Sequence, residues 1–282
     1  MPLTLMYITN NIDVALIAEK YGVDRIWVDL ETLGKEERQK GMNTVKSRHE
    51  IGDVRKIKAC LSKSELIVRV NPWNTSSEYE INRVIEAGAD IIMLPMWKTA
   101  KEVDSFIKCI DGRVKTNLLL ETKEAVNCLE EVLNIRGIDE IHIGLNDLHL
   151  SYGLTFMFEL LSNGVVEELC KKIKRADIPY GFGGIAKLGE GMLPAERVIL
   201  EHYRLGSSRA ILSRSFCNAD EINDLKTIEN VFSQNMKSLR EYESNVVNMA
   251  NSDFESNKEE VRILVQSITD KKKGISRKLI NI

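Results

Sequence analysis

The sequence predicts an α/β fold, a (β/α)8 TIM barrel with additional C-terminal helices. Short apolar runs rich in β-branched residues alternate with longer segments of helical period, the pattern of βαβ units on a parallel sheet. There are eight such strand–helix steps, the number a closed barrel requires. The rival architecture, an open doubly wound sheet, would be favoured by a glycine-rich turn after the first run, and none is there.

In order, the predicted strands are residues 3–9, 25–31 (in GVDRIWVDLET), 65–71 (ELIVRVN), 90–96 (DIIMLPM), 116–121 (TNLLLE), 140–144 (EIHIG), 180–186 (YGFGGIA) and 209–215 (RAILSRS). The segments between them carry helix punctuation. VALIAEKYG ends on glycine, and TAKEVDSFIKCIDG opens on a threonine cap and closes the same way. Two stretches fall outside the repeat. Residues 32–53 are polar and follow the second strand on the side where barrel active sites lie, so they read as a loop or lid. The tail reads as two amphipathic helices, residues 222–248 and 257–269. The chain thus divides into a catalytic barrel, residues 1–216, and a helical extension, residues 217–282, that packs on the barrel or reaches a neighbouring subunit in a homo-oligomer.

Bulk properties exclude several classes. A net charge of -3 over 282 residues offers no electrostatic footprint for nucleic acid or an anionic membrane. No stretch approaches the roughly 20 apolar residues of a membrane span. The first residues lack the basic region of a secretory signal. The five cysteines, Cys60, Cys109, Cys128, Cys170 and Cys217, include no C-x-x-C pair, so neither a zinc site nor a disulfide framework is expected. Reduced, mostly buried thiols in a cytoplasmic protein are the expectation.

Barrel enzymes take their functional groups from the C-terminal ends of strands. On that rule strands two, three, five and six deliver Glu31, Arg69, Glu121 and Asp147 to one rim. Two facing carboxylates do not both stay ionised cheaply without a cation between them. Hard oxygen ligands at a barrel mouth suit Mg2+ or Mn2+, with positions left for water and substrate. Beside such a metal, arginine offers a permanently charged fork to a carboxylate or a developing enolate oxygen. The turn Gly144, Leu145, Asn146 points backbone N–H groups into the same space. Together these make a site for a 2-oxo acid. Each residue also has a plainer reading: Glu121 as a helix cap, Asp147 as a turn residue, Arg69 as a structural ion-pair partner.

Five stretches, IWVDLET (26–32), VRVNPW (68–73), GADIIMLPMWKTAKEV (88–103), LLLETKEAV (118–126) and IHIGLNDL (141–148), resemble the family that joins 4-hydroxy-2-oxoheptanedioate aldolase with the citrate lyase beta subunit and malyl-coenzyme A lyases. The resemblance implies a divalent-metal barrel, often oligomeric through C-terminal helices. It implies Glu121 and Asp147 as the metal ligands and Arg69 as the enolate-stabilising group. The chain departs from the pattern at Thr32, where the aldolase branch carries a proton-transferring histidine and the lyase branch an acid. Of the histidines His49, His142, His149 and His202, His49 lies in the lid and is the candidate replacement.

The expectation is therefore a carbon–carbon lyase or aldolase acting through an enolate of pyruvate or a related 2-oxo acid, with Mg2+ or Mn2+. In it Arg69, Glu31 and His49 are catalytic, and Arg69, Gly144, Leu145 and Asn146 bind substrate. Two alternatives stand beside it. An acyl-coenzyme A lyase or thioesterase would bind its acyl-thioester with the basic lid residues Lys35, Arg38, Lys40, Lys46 and Arg48. A non-catalytic metal-binding barrel subunit would need no base.

Overall fold

The computed structural model describes residues 1–34 and 49–280. Its eight parallel strands close in sequence order into a barrel, as predicted. They are β1 (Thr4–Ile8), β2 (Arg25–Asp29), β3 (Glu65–Arg69), β4 (Ile91–Leu94), β5 (Lys115–Leu120), β6 (Glu140–Ile143), β7 (Tyr180–Ile185) and β8 (Arg209–Leu212). Each ends before its predicted run does, because the last residues of the run leave the ladder to build the mouth. Around them lie α1 (Ile12–Lys20), α2 (Ile51–Cys60), α3 (Ser77–Glu86), α4 (Ala100–Ile110), α5 (Lys123–Asn127), α6 (Leu129–Val132), α7 (Leu145–Ser151), α8 (Glu159–Ser162), α9 (Val165–Arg175) and α10 (Ala195–Leu205). Helix α4 starts on a full capping box: Thr99 accepts from the Glu102 amide and Glu102 reaches back to the Thr99 amide.

The two tail helices are α11 (Leu225–Val246) and α12 (Asn251–Ile280), the second longer than predicted at both ends. Helix α11 packs on α1 and α10. Its buried Glu243 accepts from the Leu3 amide at 2.8 Å and from the Tyr203 hydroxyl at 3.0 Å, which ties the start of β1 into place. Helix α12 lies on α10 and α8, where Asn257 donates to Glu201 at 3.0 Å. Among the described residues no helix is long and apolar enough to cross a membrane. All five cysteines are free, but only Cys170 and Cys217 are buried; the other three are half-buried on or next to helices.

The strands alternate, apart from a register shift in β7 between Gly181 and Gly184. Residues of one parity (Ile26, Val28, Leu66, Val68, Leu118, Leu120 and their equivalents) pack outward against the helices in one continuous core. Those of the other parity form a separate inner cluster of Met6, Trp27, Ile67, Ile91, Met93 and Leu119. On several strands a polar residue stands two positions before the inner apolar residue and another two positions after it. This gives Arg25–Trp27–Asp29, Glu65–Ile67–Arg69, Asn117–Leu119–Glu121 and Arg209–Ile211–Ser213. The barrel interior is thus a polar floor, an apolar middle and a polar mouth, the layered filling expected of this architecture.

The floor is held by one carboxylate. Glu140 is 2% exposed and binds Arg25 at 2.6 Å, Arg209 at 2.6 Å and the Asn117 amide at 2.6 Å. Burial alone would push its carboxyl up; Arg25 and Arg209 more than offset this and hold it below the ordinary carboxylate range. Above it His142 is fully buried, its Nε2 against the Gly183 carbonyl at 3.2 Å; burial drives its pKa down to about 4, so it packs as a neutral ring.

Removing one partner of a buried ion cluster leaves the others uncompensated. Glu140→Ala is expected to cost about 3–5 kcal/mol in denaturant unfolding. Lys115→Ala, which removes the mostly exposed partner of Glu65, is expected to cost about 0–1 kcal/mol. Because the Glu140 carboxyl is depressed in the folded state, its contribution is present at neutral pH and is lost as the pH falls below the ordinary carboxylate range. Equal losses in the two variants would show that the floor is not a buried cluster.

Candidate active site at the barrel mouth

The same period-2 alternation that builds the inner layer places Asp29, Arg69 and Glu121 on its upper side. Arg69 ends β3 with its guanidinium over the Trp27 ring, 5.1 Å from the centroid. Its fork is taken by Asp29, with Nε to Oδ1 at 2.8 Å and Nη2 to Oδ2 at 2.9 Å. Glu31 adds a contact to Nη2 at 3.3 Å. Burial alone would lower the Arg69 pKa; the charges of Asp29, Glu31 and Glu121 overcome this and hold it above the ordinary arginine range. The plain reading of Arg69 as an ion-pair partner is therefore correct as far as it goes, and the Glu121 charge acts on it as well.

Glu121 follows β5 and is 3% exposed. The cap of α5 is its neighbour Thr122, whose side chain accepts from the Ala125 amide, so Glu121 is not spent on capping. Its Oε1 accepts from the Met96 amide at 3.1 Å. Met96 makes that bond from a left-handed backbone, φ 53°, which a non-glycine residue adopts only when its surroundings enforce it. Gly144 is required by close approach: a Cβ there would stand 2.9 Å from both Cβ and Oε2 of Glu121. Burial is the main reason the Glu121 carboxyl lies well above its ordinary value, and the Asp147 charge is the next.

Asp147 lies in the first turn of α7, for which Gly144 is the cap. The segment read as a turn is a short helix, so the amides of its first turn lack intrahelical partners. Leu145 buries its side chain against Gly183 and has only its backbone N–H to offer a ligand. His149 is buried in the same helix with Nδ1 against the Leu145 carbonyl at 3.3 Å. His202 is buried on α10, stacked on Phe182 at 3.9 Å with Nδ1 on the Ser207 hydroxyl.

Thr32 is exposed, and Asn71 Oδ1 receives its amide at 2.9 Å along with that of Leu33. Position 32 is therefore a backbone clamp. His49 is brought to the site instead: its Nδ1 accepts from the Asp29 amide at 3.0 Å. The basic residues expected to hold a nucleotide phosphate, Lys35, Arg38, Lys40, Lys46 and Arg48, lie outside the described residues.

Two cavities open at the mouth. One of about 360 Å3 is lined by Asp29, His49, Arg69, Asn146, Ser213 and Arg214 among others. The other, about 290 Å3, is lined by Met96, Glu121, Thr122, Asp147 and Ser151 among others. Sequence reasoning missed Asp29. The signal was available, because Asp29 shares strand parity with Trp27 and Glu31 and had to face inward with them.

The donor set fits a divalent cation of the Mg2+ type. Among the described residues no group of three or more His, Cys, Asp or Glu forms a metal cage. Mg2+ is commonly held by only one or two carboxylates, with water and substrate oxygens completing the shell. Glu121 and Asp147 are such a pair: two buried oxygen donors whose mutual repulsion a cation would reverse.

Residues 4–159 match the family model described as HpcH/HpaI aldolase/citrate lyase, and the chain belongs to that family. Its structure resembles the HpcH/HpaI aldolase from Desulfitobacterium hafniense DCB-2, with 13% identity, TM-score 0.56, and 85% of this chain and 93% of that one covered. It also resembles an HpcH/HpaI aldolase/citrate lyase family protein from Burkholderia cenocepacia J2315, with 14% identity, TM-score 0.60 and coverages of 80% and 95%. RipC from Yersinia pestis is similar at 16% identity, TM-score 0.54 and coverages of 82% and 94%. No curated protein sequence matches the chain.

A carboxyl raised in the folded state contributes stability at low pH that is lost as the pH rises through its folded value. Glu121→Gln keeps the acceptor for Met96 and removes the charge. In metal-free protein it is expected to raise the thermal midpoint at pH 8, at about 2–4 °C per kcal/mol regained. The advantage should shrink toward pH 4. A midpoint lowered at pH 8 would mean that the charged form is the one the fold prefers.

Proposed function

We propose that the protein is a divalent-metal-dependent carbon–carbon lyase or aldolase that works through the enolate of pyruvate or a related 2-oxo acid. The observation that carries the reading is the convergence of Arg69 and Asp147 on the buried Glu121 at the barrel mouth, both close enough to act on its charge, in a chain of the HpcH/HpaI aldolase/citrate lyase family. Glu121 and Asp147 would hold Mg2+ or Mn2+, and the bound ion would polarise the 2-oxo acid and lower the cost of forming its enolate.

The chain's own residues supply the rest. Arg69, aimed by Asp29 and supported on Trp27, faces the enolate oxygen as a fixed donor that needs no reorganisation when charge develops. The substrate carboxylate sits against the first-turn amides of Leu145 and Asn146. Glu31, in contact with Arg69, assists the transfer of the proton lost from the methyl carbon. In the forward direction that carbon bonds to the carbonyl carbon of an electrophile, whose oxygen gains a proton; cleavage is the reverse. The protein works as a small-molecule enzyme, and the tail helices on α10 suit a homo-oligomeric form.

The test is proton NMR of pyruvate in D2O with the protein, with Mg2+ or Mn2+ and again with chelator. Metal-dependent loss of the methyl signal is expected. It should fall by about a hundredfold or more in Arg69→Ala, the effect typical of losing one preorganised donor to a developing oxyanion. No exchange in folded protein with any divalent metal would refute the reading.

A further inference from the structure

Of the four histidines, only His49 lines the cavity that holds Arg69. Resting on the reading above, we propose that His49 is a neutral hydrogen-bond donor to the carbonyl oxygen of the electrophile, and that it keeps its proton through the reaction. The cavity it lines is the electrophile's half of the site.

The argument begins with the ring. The Asp29 amide donates to His49 Nδ1 at 3.0 Å. A backbone N–H can only donate, so Nδ1 must present a lone pair. A neutral imidazole carries one hydrogen, and here it stands on Nε2. Whatever Nε2 meets, it meets as a donor. Protonating Nδ1 would forfeit the backbone bond, which makes this ring a poor base in the place it occupies.

The bond also fixes where the ring stands. Asp29 is the residue that aims Arg69, so one residue orients both groups: its carboxylate holds the guanidinium and its amide holds the imidazole. Arg69 and His49 therefore form one rigid unit at the wall of a cavity of about 360 Å3. The rest of the lining sets Asn146 from α7 and Ser213 and Arg214 past β8 among apolar groups that include Ile8, Val14 and Ile211. Such a space takes a short, oxygen-rich electrophile such as a hydroxyaldehyde or an oxo acid.

The chemistry balances without a proton from histidine. As the enolate carbon bonds to the carbonyl carbon, the C=O π electrons move to oxygen. The Nε2–H of His49 stabilises that oxyanion, and the oxyanion takes its proton from a water in the cavity. The Thr32 hydroxyl is already donated to Asn71 Oδ1, at 3.2 Å.

The experiment compares wild type, His49→Gln and His49→Ala with pyruvate and Mg2+, using glycolaldehyde and glyoxylate as probe electrophiles. Glutamine places an N–H near the position of Nε2. The charged groups around the ring, Asp29 on β2, Arg69 on β3, Arg214 past β8 and Asp220 beyond it, stay in place in both variants. His49→Ala is expected to lower kcat/KM for bond formation by about a hundredfold. That loss should exceed the loss in pyruvate methyl exchange by at least about tenfold, because the donor acts after the enolate forms. His49→Gln should recover most of the loss and keep the wild-type pH profile. In 15N-histidine NMR of the wild type, His49 should carry its hydrogen on Nε2 from pH 6 to pH 8. The proposal is overturned if glutamine is no better than alanine and a limb of the pH profile vanishes with both, which is the behaviour of a base. It is overturned equally by a hydrogen on Nδ1, or by wild-type rates in His49→Ala. Absence of methyl exchange in the wild type refutes the enolate reading itself and the proposal with it, an outcome distinct from exchange that ignores His49.

Discussion

Arg69 lies at the end of an inward-facing strand, above a wall of apolar side chains, and its charge cannot be left there alone. Asp29 answers it with a two-point salt bridge across neighbouring strands, at 2.8 and 2.9 Å. Pairing residues 29 and 69 in the β2–β3 register is what makes that geometry available. The rest of the mouth follows from the pair. The guanidinium is set over Trp27, Glu31 shares its Nη2 with Asp29, and the Asp29 amide is left to hold His49. A buried ion pair of this kind adds little net stability compared with an apolar substitute. Its product is orientation: a donor fixed before any substrate arrives.

The two ends of the barrel use the same residue types to opposite effect. At the floor one glutamate is surrounded by two arginines and an amide, and its charge is over-compensated. At the mouth, among the described residues, Asp29, Glu31 and Glu121 act on Arg69, and burial together with the Asp147 charge holds the Glu121 carboxyl well above its ordinary value. The floor is what a structural cluster looks like, closed and satisfied. The mouth is open, its Glu121 carboxyl is held well above the ordinary value, and it includes a left-handed Met96 and a glycine that cannot accept a methyl group. Strain and unbalanced charge at one end of an otherwise regular barrel mark the end where binding energy is to be recovered.

Much of this was legible in the sequence, for a physical reason. Barrel function gathers at the C-terminal ends of strands; Glu121 and Arg69 were found from their places there, and the family's motifs lie at those strand ends. Asp29 was passed over because the predicted strand ran on to Glu31, which took its place at the rim, although alternation puts Asp29 on the inner side with Trp27. The helix at α7 was read as a turn because G-L-N-D satisfies both patterns, and only the later run of intrahelical bonds decides between them. The position of His49 was beyond reach, since it depends on where a polar connection returns to the barrel and not on any local period. Packing of α11 between α1 and α10 was likewise undetermined, because an amphipathic helix declares which face it buries and not against what.

The central claim is that the mouth is built to receive a cation between Glu121 and Asp147. Titration of the metal-free protein with Mn2+, followed by the electron paramagnetic resonance signal of the free ion, tests it without reference to turnover. The account predicts one ion bound per chain. Binding should weaken as the pH is lowered and a proton takes the place of the metal on Glu121, and it should be lost in Asp147→Asn with the fold intact. Binding that is unchanged in Asp147→Asn, or no binding at any pH where the protein is folded, would contradict it.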